Sequence, residues 1–141
     1  MISQAVCTSF KSELLQGVHN FASAGGDTFK LALYTSSASL DSTTTAYTTS
    51  NEVVGTGYTA GGNTLTNSGV STGSSKAYTS FSNTSWTSST ITARGCLIYN
   101  SSKSNKSVVV LDFGGDKTST AGTFTIVFPT FDSTSALLIL N

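Results

Sequence analysis

The stretch "DTFKLALYTSSASLDSTTTAYTTSNEVVGTGYTAGGNTLT", residues 27–66, decides how the chain is read. After Asp27 it alternates. Phe29, Leu31 and Leu33 fall on one side, and Lys30, Ala32 and Tyr34 on the other, which is the period of a half-buried β-strand. Then charge and large aliphatics become rare, and threonine, serine, glycine and tyrosine take over. Residues 36–51 read as a long loop, and a loop of that length in a compact domain is functional or a linker. A short strand around Val53–Val54 follows, with glycines behind it that call for turns or bulges. "NTLTNSGV" reads as another short strand.

Composition separates a folded surface from a disordered one. Serine and threonine make up 49 of the 141 residues. Disorder, however, goes with few apolar residues and many prolines, and here hydrophobics reach 38% with a single proline. Abundant Thr, Val, Tyr and Phe favour strands, while helix formers are scarce. Charged residues are 10% of the chain, against about 25% in ordinary globular proteins. Seven basic and seven acidic residues cancel. That leaves no basic stripe for nucleic acid, no acidic tail, and weak protection against self-association.

The length fits one domain over residues 1–141. Such a domain buries roughly 70% of the surface its unfolded chain exposes, so neither disulfide nor metal is needed to hold it. Cys7 and Cys96 are far apart and read as two small core hydrophobes. No basic-then-apolar leader is visible, and no apolar run approaches the ~20 residues of a membrane span. The expectation is a protein made in the cytoplasm that binds no membrane and no nucleic acid.

Outside the opening stretch, residues 1–20 carry a helical stripe: Ile2, Val6, Phe10, Leu14 and Val18 recur every fourth residue, which predicts a helix over 3–16. From residue 27 to 141 the pattern is β. A long strand runs through "TITARGCLIYN". "VVVLDF" is an unbroken apolar strand, "GGDKTSTAG" a turn-rich loop, and "TFTIVFP" a strand closed by Pro129. The terminal "ALLILN" would be hazardous if exposed, so it is expected as an inner strand or, second, an intersubunit strand. The sum is an all-β fold, a jelly roll or β-sandwich of about eight strands with one short N-terminal helix.

Chemistry is sparse. His19 has no ligand-spaced Cys, Asp or Glu and no triad context, so packing or capping beside the helix end is its expected role. No two of the seven acids are paired by the sequence as a glycosidase requires. "DFGGD" at 112–116 lacks every companion of the kinase motif, and "DFGGDKT" offers too few alternating oxygens for calcium. "GTGYTAGG" lacks the Lys-Ser/Thr of a phosphate cradle. No catalytic, cofactor-binding or metal residue is assigned. Arg94, the sole arginine, sits mid-strand among apolar neighbours and needs a carboxylate. Glu52 is the expected partner, within the domain or across an interface. Tyr47, Tyr58, Tyr78 and Trp86 are the candidate contact aromatics. Residues 36–51 are expected to lie on a neighbouring subunit, the competing role being sugar or receptor binding through Tyr47.

In combination, "GVHNF", residues 27–66, "TARGCLIYN" and "VVVLDFGGDKTSTAGTFTIVFP" resemble a family of small structural proteins of tailed bacteriophages, similar to capsid cement or decoration proteins. The resemblance spans Gly17 to Pro129. It implies an all-β, homo-oligomeric virion protein, a dimer or trimer on the capsid surface, whose partner is the major capsid protein. It brings no catalytic residue and no cofactor. The contact elements expected under it are the helix at 3–16, residues 36–51 and the terminal strand. The alternative is a neck, tail or head-fibre module that binds a receptor or glycan.

Overall fold

The computed structural model describes residues 1–141. It is built on one long antiparallel hairpin, β6 (Thr84–Asn100) and β7 (Lys106–Ile126), joined by a polar turn at 101–105. Residues 114–122, expected as a loop from their glycines and small polar residues, stay within β7. Lys117 pairs with Ala93, Thr118 with Thr92 and Ser119 with Ile91. Four register shifts along the pair, and positive φ at Ser88, Gly114 and Ala121, absorb the turn-forming residues. A bulge takes up an extra residue without ending the ladder, so those residues mark bulges.

The other strands are β1 (Ala5–Val6), β2 (Phe29–Tyr34), β3 (Asn63–Thr64), β4 (Asn67–Gly73), β5 (Lys76–Phe81) and β8 (Leu138–Leu140). The one helix is α1 (Thr8–Leu15). They form two antiparallel sheets, ordered β1-β7-β6-β2-β3 and β4-β5-β8, in the all-β, sandwich-like arrangement expected. An aromatic cluster joins the sheets: Phe81 of β5 lies 5.6 Å from Phe29 of β2 and 5.7 Å from Phe128. Phe21 stacks on Phe29 at 4.4 Å. Burying each such ring contributes roughly 1.5–3 kcal/mol.

Strand β2 is covered on both faces, not half-buried: Leu31, Ala32, Leu33 and Tyr34 are all fully buried. The cover is the chain that follows. Residues 36–62 fold back over the body of their own subunit. Thr35 N–H donates to Asn51 O at 3.0 Å, Val53 N–H to Leu33 O at 2.9 Å, and Tyr47 N–H to Asn105 O at 3.0 Å. Leu40 makes a bridge with Ile2, and Ala46 with Lys106. The strand expected at Val53–Val54 shrinks to one bridge between Tyr34 and Glu52, with Val54 fully in solvent.

The N-terminal helix is shorter than the stripe predicts. Ile2 bridges to Leu40, Ala5 and Val6 pair with Val110 and Val109, and Cys7 N–H donates to Val108 O at 3.0 Å. Only Thr8–Leu15 is helical. Every fourth residue falls on one face of a helix, but it also falls on one face of a strand, since four is a multiple of two. The available β7 edge captures the first half of the stripe. Phe10 is buried, while Leu15 is exposed.

Strand β8 pairs with β5 alone and is an edge, not the inner strand expected.

Candidate functional site: a carboxylate held by two tyrosines

Glu52 is 7% exposed and takes no ion pair within 4.0 Å. Three donors satisfy it. Tyr47 Oη donates to Oε1 at 2.6 Å, Tyr58 Oη to Oε2 at 2.6 Å, and Gly61 N–H to Oε2 at 2.7 Å. The network continues outward. Leu33 N–H donates to Tyr58 Oη at 2.9 Å, and Tyr99 Oη donates to Gly61 O at 2.7 Å. Tyr34 Oη donates to Thr48 O. The rings of Tyr47 and Tyr99 stack at 4.7 Å, and Tyr58 leans on Trp86 at 5.8 Å. A buried charge without a counterion is tolerated when hydrogen-bond donors surround it. The two tyrosines come from the hydroxyl-rich segment, and Tyr34 and Tyr99 from β2 and β6. The hub therefore clamps residues 46–62 to the sheet.

The pair expected between Arg94 and Glu52 does not form within the chain. Arg94 Nε binds Asp116 Oδ1 at 2.9 Å across the β6–β7 ladder, with both side chains well exposed. The register shift between Ala93 and Gly95 accompanies a half-exposed Arg94 amid buried neighbours, so its guanidinium stays wet. Such a surface pair is worth about 0–1 kcal/mol. Arg94→Ala is expected to cost less than about 1 kcal/mol and to be additive with Glu52→Ala within about 0.5 kcal/mol. Urea unfolding of the two single variants and the double variant checks this, and a larger coupling would restore the pair.

Of the four candidate aromatics, three turn inward. Trp86 is buried and Tyr47 and Tyr58 spend their hydroxyls on Glu52. Tyr78 stands apart, edge-to-face with Phe131 at 5.2 Å.

Burial raises the pKa of Tyr34, Tyr47, Tyr58 and Tyr99 above the ordinary tyrosine value, and for Tyr47 and Tyr58 the bond to Glu52 adds to it. Tyr99 is pushed up to about 12. The unfolded chain loses these protons near pH 10 and the folded one does not. Their contribution is thus complete below about pH 10 and is lost as pH rises through the folded values. Absorbance titration at about pH 11 is expected to show these four tyrosines still protonated in the native protein and ionised in denaturant. Full native ionisation at that pH would disprove the clamp.

A second polar network escaped sequence reasoning. His19, with its side chain fully enclosed, packs on Phe10 at 4.8 Å and places Nε2 3.0 Å from Glu13 Oε1. Asn100 Nδ2 donates to His19 Nδ1 at 3.0 Å and to Asp27 Oδ2 at 2.8 Å. Ser102 N–H donates to Asn100 Oδ1, which fixes the amide orientation and hence assigns the remaining imidazole proton to Nε2. Burial raises the pKa of Asp27, but bonds from Asn100, Asn20 and Lys103 outweigh it and bring it below the usual carboxylate value. His19 thus has the packing role its isolation suggests, and Asn100 is the residue that no local pattern singled out. Cys7 and Cys96 are both buried free thiols, which burial pushes up in pKa.

In neither network does a saturated carboxylate face open space. Glu52 has its oxygens filled by donors, and Glu13 is shared by His19 and Lys106, the latter at 3.5 Å. No family model, no curated protein and no solved structure matches the chain.

Proposed function

We propose that the chain is a non-enzymatic structural protein of a tailed-phage virion, of the cement or decoration type. It is made in the host cytoplasm, sits as a homo-oligomer on the capsid surface and reinforces the assembled major capsid protein. The observation that carries this is the clamped segment 36–62. Its outer side presents Thr43, Thr45, Thr49, Ser50, Thr56 and Thr59, all exposed, with no Lys or Arg among the 36–62 residues. Beneath them the Glu52 hub keeps the backbone in place. A surface ordered beforehand loses less conformational entropy on contact. Small hydroxyl side chains adapt to neighbours that differ slightly in position. Repeated over a shell, modest contacts stabilise the assembled state by mass action. The phage resemblance of the sequence points the same way.

Quantitative mass spectrometry of purified virions tests it. A copy number comparable with that of the major capsid protein is the expected result. A few copies per particle would overturn it in favour of a neck, tail or head-fibre module. Such a module would rest its receptor contact on Tyr78 and Phe131, since Tyr47, Tyr58 and Trp86 are engaged inside.

A further inference from the structure

The sheet edges of this fold are closed in different ways. β1 and β3 are two residues long. β4 carries a register shift between Asn67 and Val70, with Gly69 at φ 88°. Shortness and bulges are devices that keep an edge from pairing with another chain. β8, three residues long, is also short, but it has no charge, proline or bulge. Leu138, Ile139 and Leu140 pair with Thr79, Tyr78 and Ala77 on one side and with nothing on the other. Beside β8 an apolar groove of about 970 Å³ runs between α1 and the three-stranded sheet. Leu15, Val70 and Leu140, exposed by 91%, 60% and 58%, all line it. Three of the seven exposed large hydrophobics of the chain thus gather along one edge.

We infer that β8 and this groove form the interface of a two-fold dimer, in which β8 pairs antiparallel with β8 of a second copy to make a continuous six-stranded sheet. A free edge offers backbone N–H and C=O groups, so its occupant brings a strand. A two-fold axis through Ile139 sets Leu138 of one copy against Leu140 of the other, apolar against apolar. Charge favours a second copy. Residues 133–140 contain no charged side chain, the chain has zero formal net charge, and Lys11 is the sole lysine, arginine or carboxylate lining the groove. Two copies therefore approach without repulsion. The inference is independent of the capsid reading, because it concerns the protein in solution and the copy number concerns the particle.

Sedimentation velocity of the full chain over a micromolar concentration series, with hydrogen exchange of β8, tests it. The wild-type chain is expected to be dimeric with protected Leu138–Leu140 amides. Leu140→Lys places a charge at an already solvent-exposed position. It is expected to give a folded monomer whose β8 amides exchange faster. Leu15→Lys, on the opposite rim, is expected to weaken dimerisation at least tenfold and serves if the first variant does not fold. A wild-type monomer throughout the series overturns the inference, as does a dimer that neither variant weakens.

Discussion

Glu52→Ala is expected to lower the unfolding free energy by about 3–5 kcal/mol, among the largest effects of any single substitution here. Three donors lose their acceptor at once: the hydroxyls of Tyr47 and Tyr58 and the N–H of Gly61. Hydrogen bonds to a charged group contribute about 1.5–3 kcal/mol each, and a buried donor left without a partner costs about 1–3 kcal/mol. The three are not additive, because the tyrosine hydroxyls can rotate towards other acceptors, so the total falls below the sum. Glu52→Gln keeps the shape and one acceptor oxygen, and is expected to cost about half as much. Urea denaturation of the three proteins checks the order. Digestion with a protease of broad specificity adds a local readout, since residues 46–62 should be cut faster in Glu52→Ala. An alanine variant within about 1 kcal/mol of wild type would mean that the hub does not hold the segment.

Gly62→Ala is the second large expected effect, about 3–5 kcal/mol, and its cause is steric. Gly62 has φ 76°, and a Cβ there would sit 1.7 Å from the backbone oxygen of Leu31, far inside contact distance. The obstacle is backbone of the buried strand β2, which cannot swing aside as a side chain could. Either β2 or the 59–62 turn must move, and with the turn goes the Gly61 N–H that binds Glu52. For a chain of this length each kcal/mol corresponds to roughly 4 °C in melting temperature. A drop of more than about 10 °C, or failure to fold, is expected, while Gly115→Ala, with nothing within 4 Å of its new methyl, should stay close to wild type. Equal melting temperatures for the two variants would contradict the close approach.

Both effects fall in a stretch that looked chemically empty. From Ser36 to Gly62, nothing in the local pattern marks Glu52 as buried. A lone carboxylate among threonines normally reads as solvated, and the acid was singled out only as a mate for Arg94. The tyrosines were legible as aromatics with a role, but their direction was not. Whether a ring faces outward as a contact or inward as a donor depends on what lies beneath it, and here that is a carboxylate some residues away in sequence.

The sequence by itself determined the all-β class, the existence of β2, β6 and the strands around "VVVLDF" and "TFTIVFP", the core role of the cysteines and the packing role of His19. Each of these rests on short-range alternation, composition or the absence of partners, which are local properties. Tertiary structure decided the rest. It made one strand of residues 106–126, because β6 supplied a ladder that bulges could follow. It drew Ala5–Val6 out of the helical stripe, because a β7 edge lay open to them. It gave Arg94 to Asp116 and Glu52 to two tyrosines, and it left the apolar β8 at an edge. Most of these are settled by strand order and register, which bring together residues many positions apart, while Glu52 meets tyrosines five and six residues away through the path of the loop itself. A period of two along one strand says which face is apolar, but not which strand lies next to it.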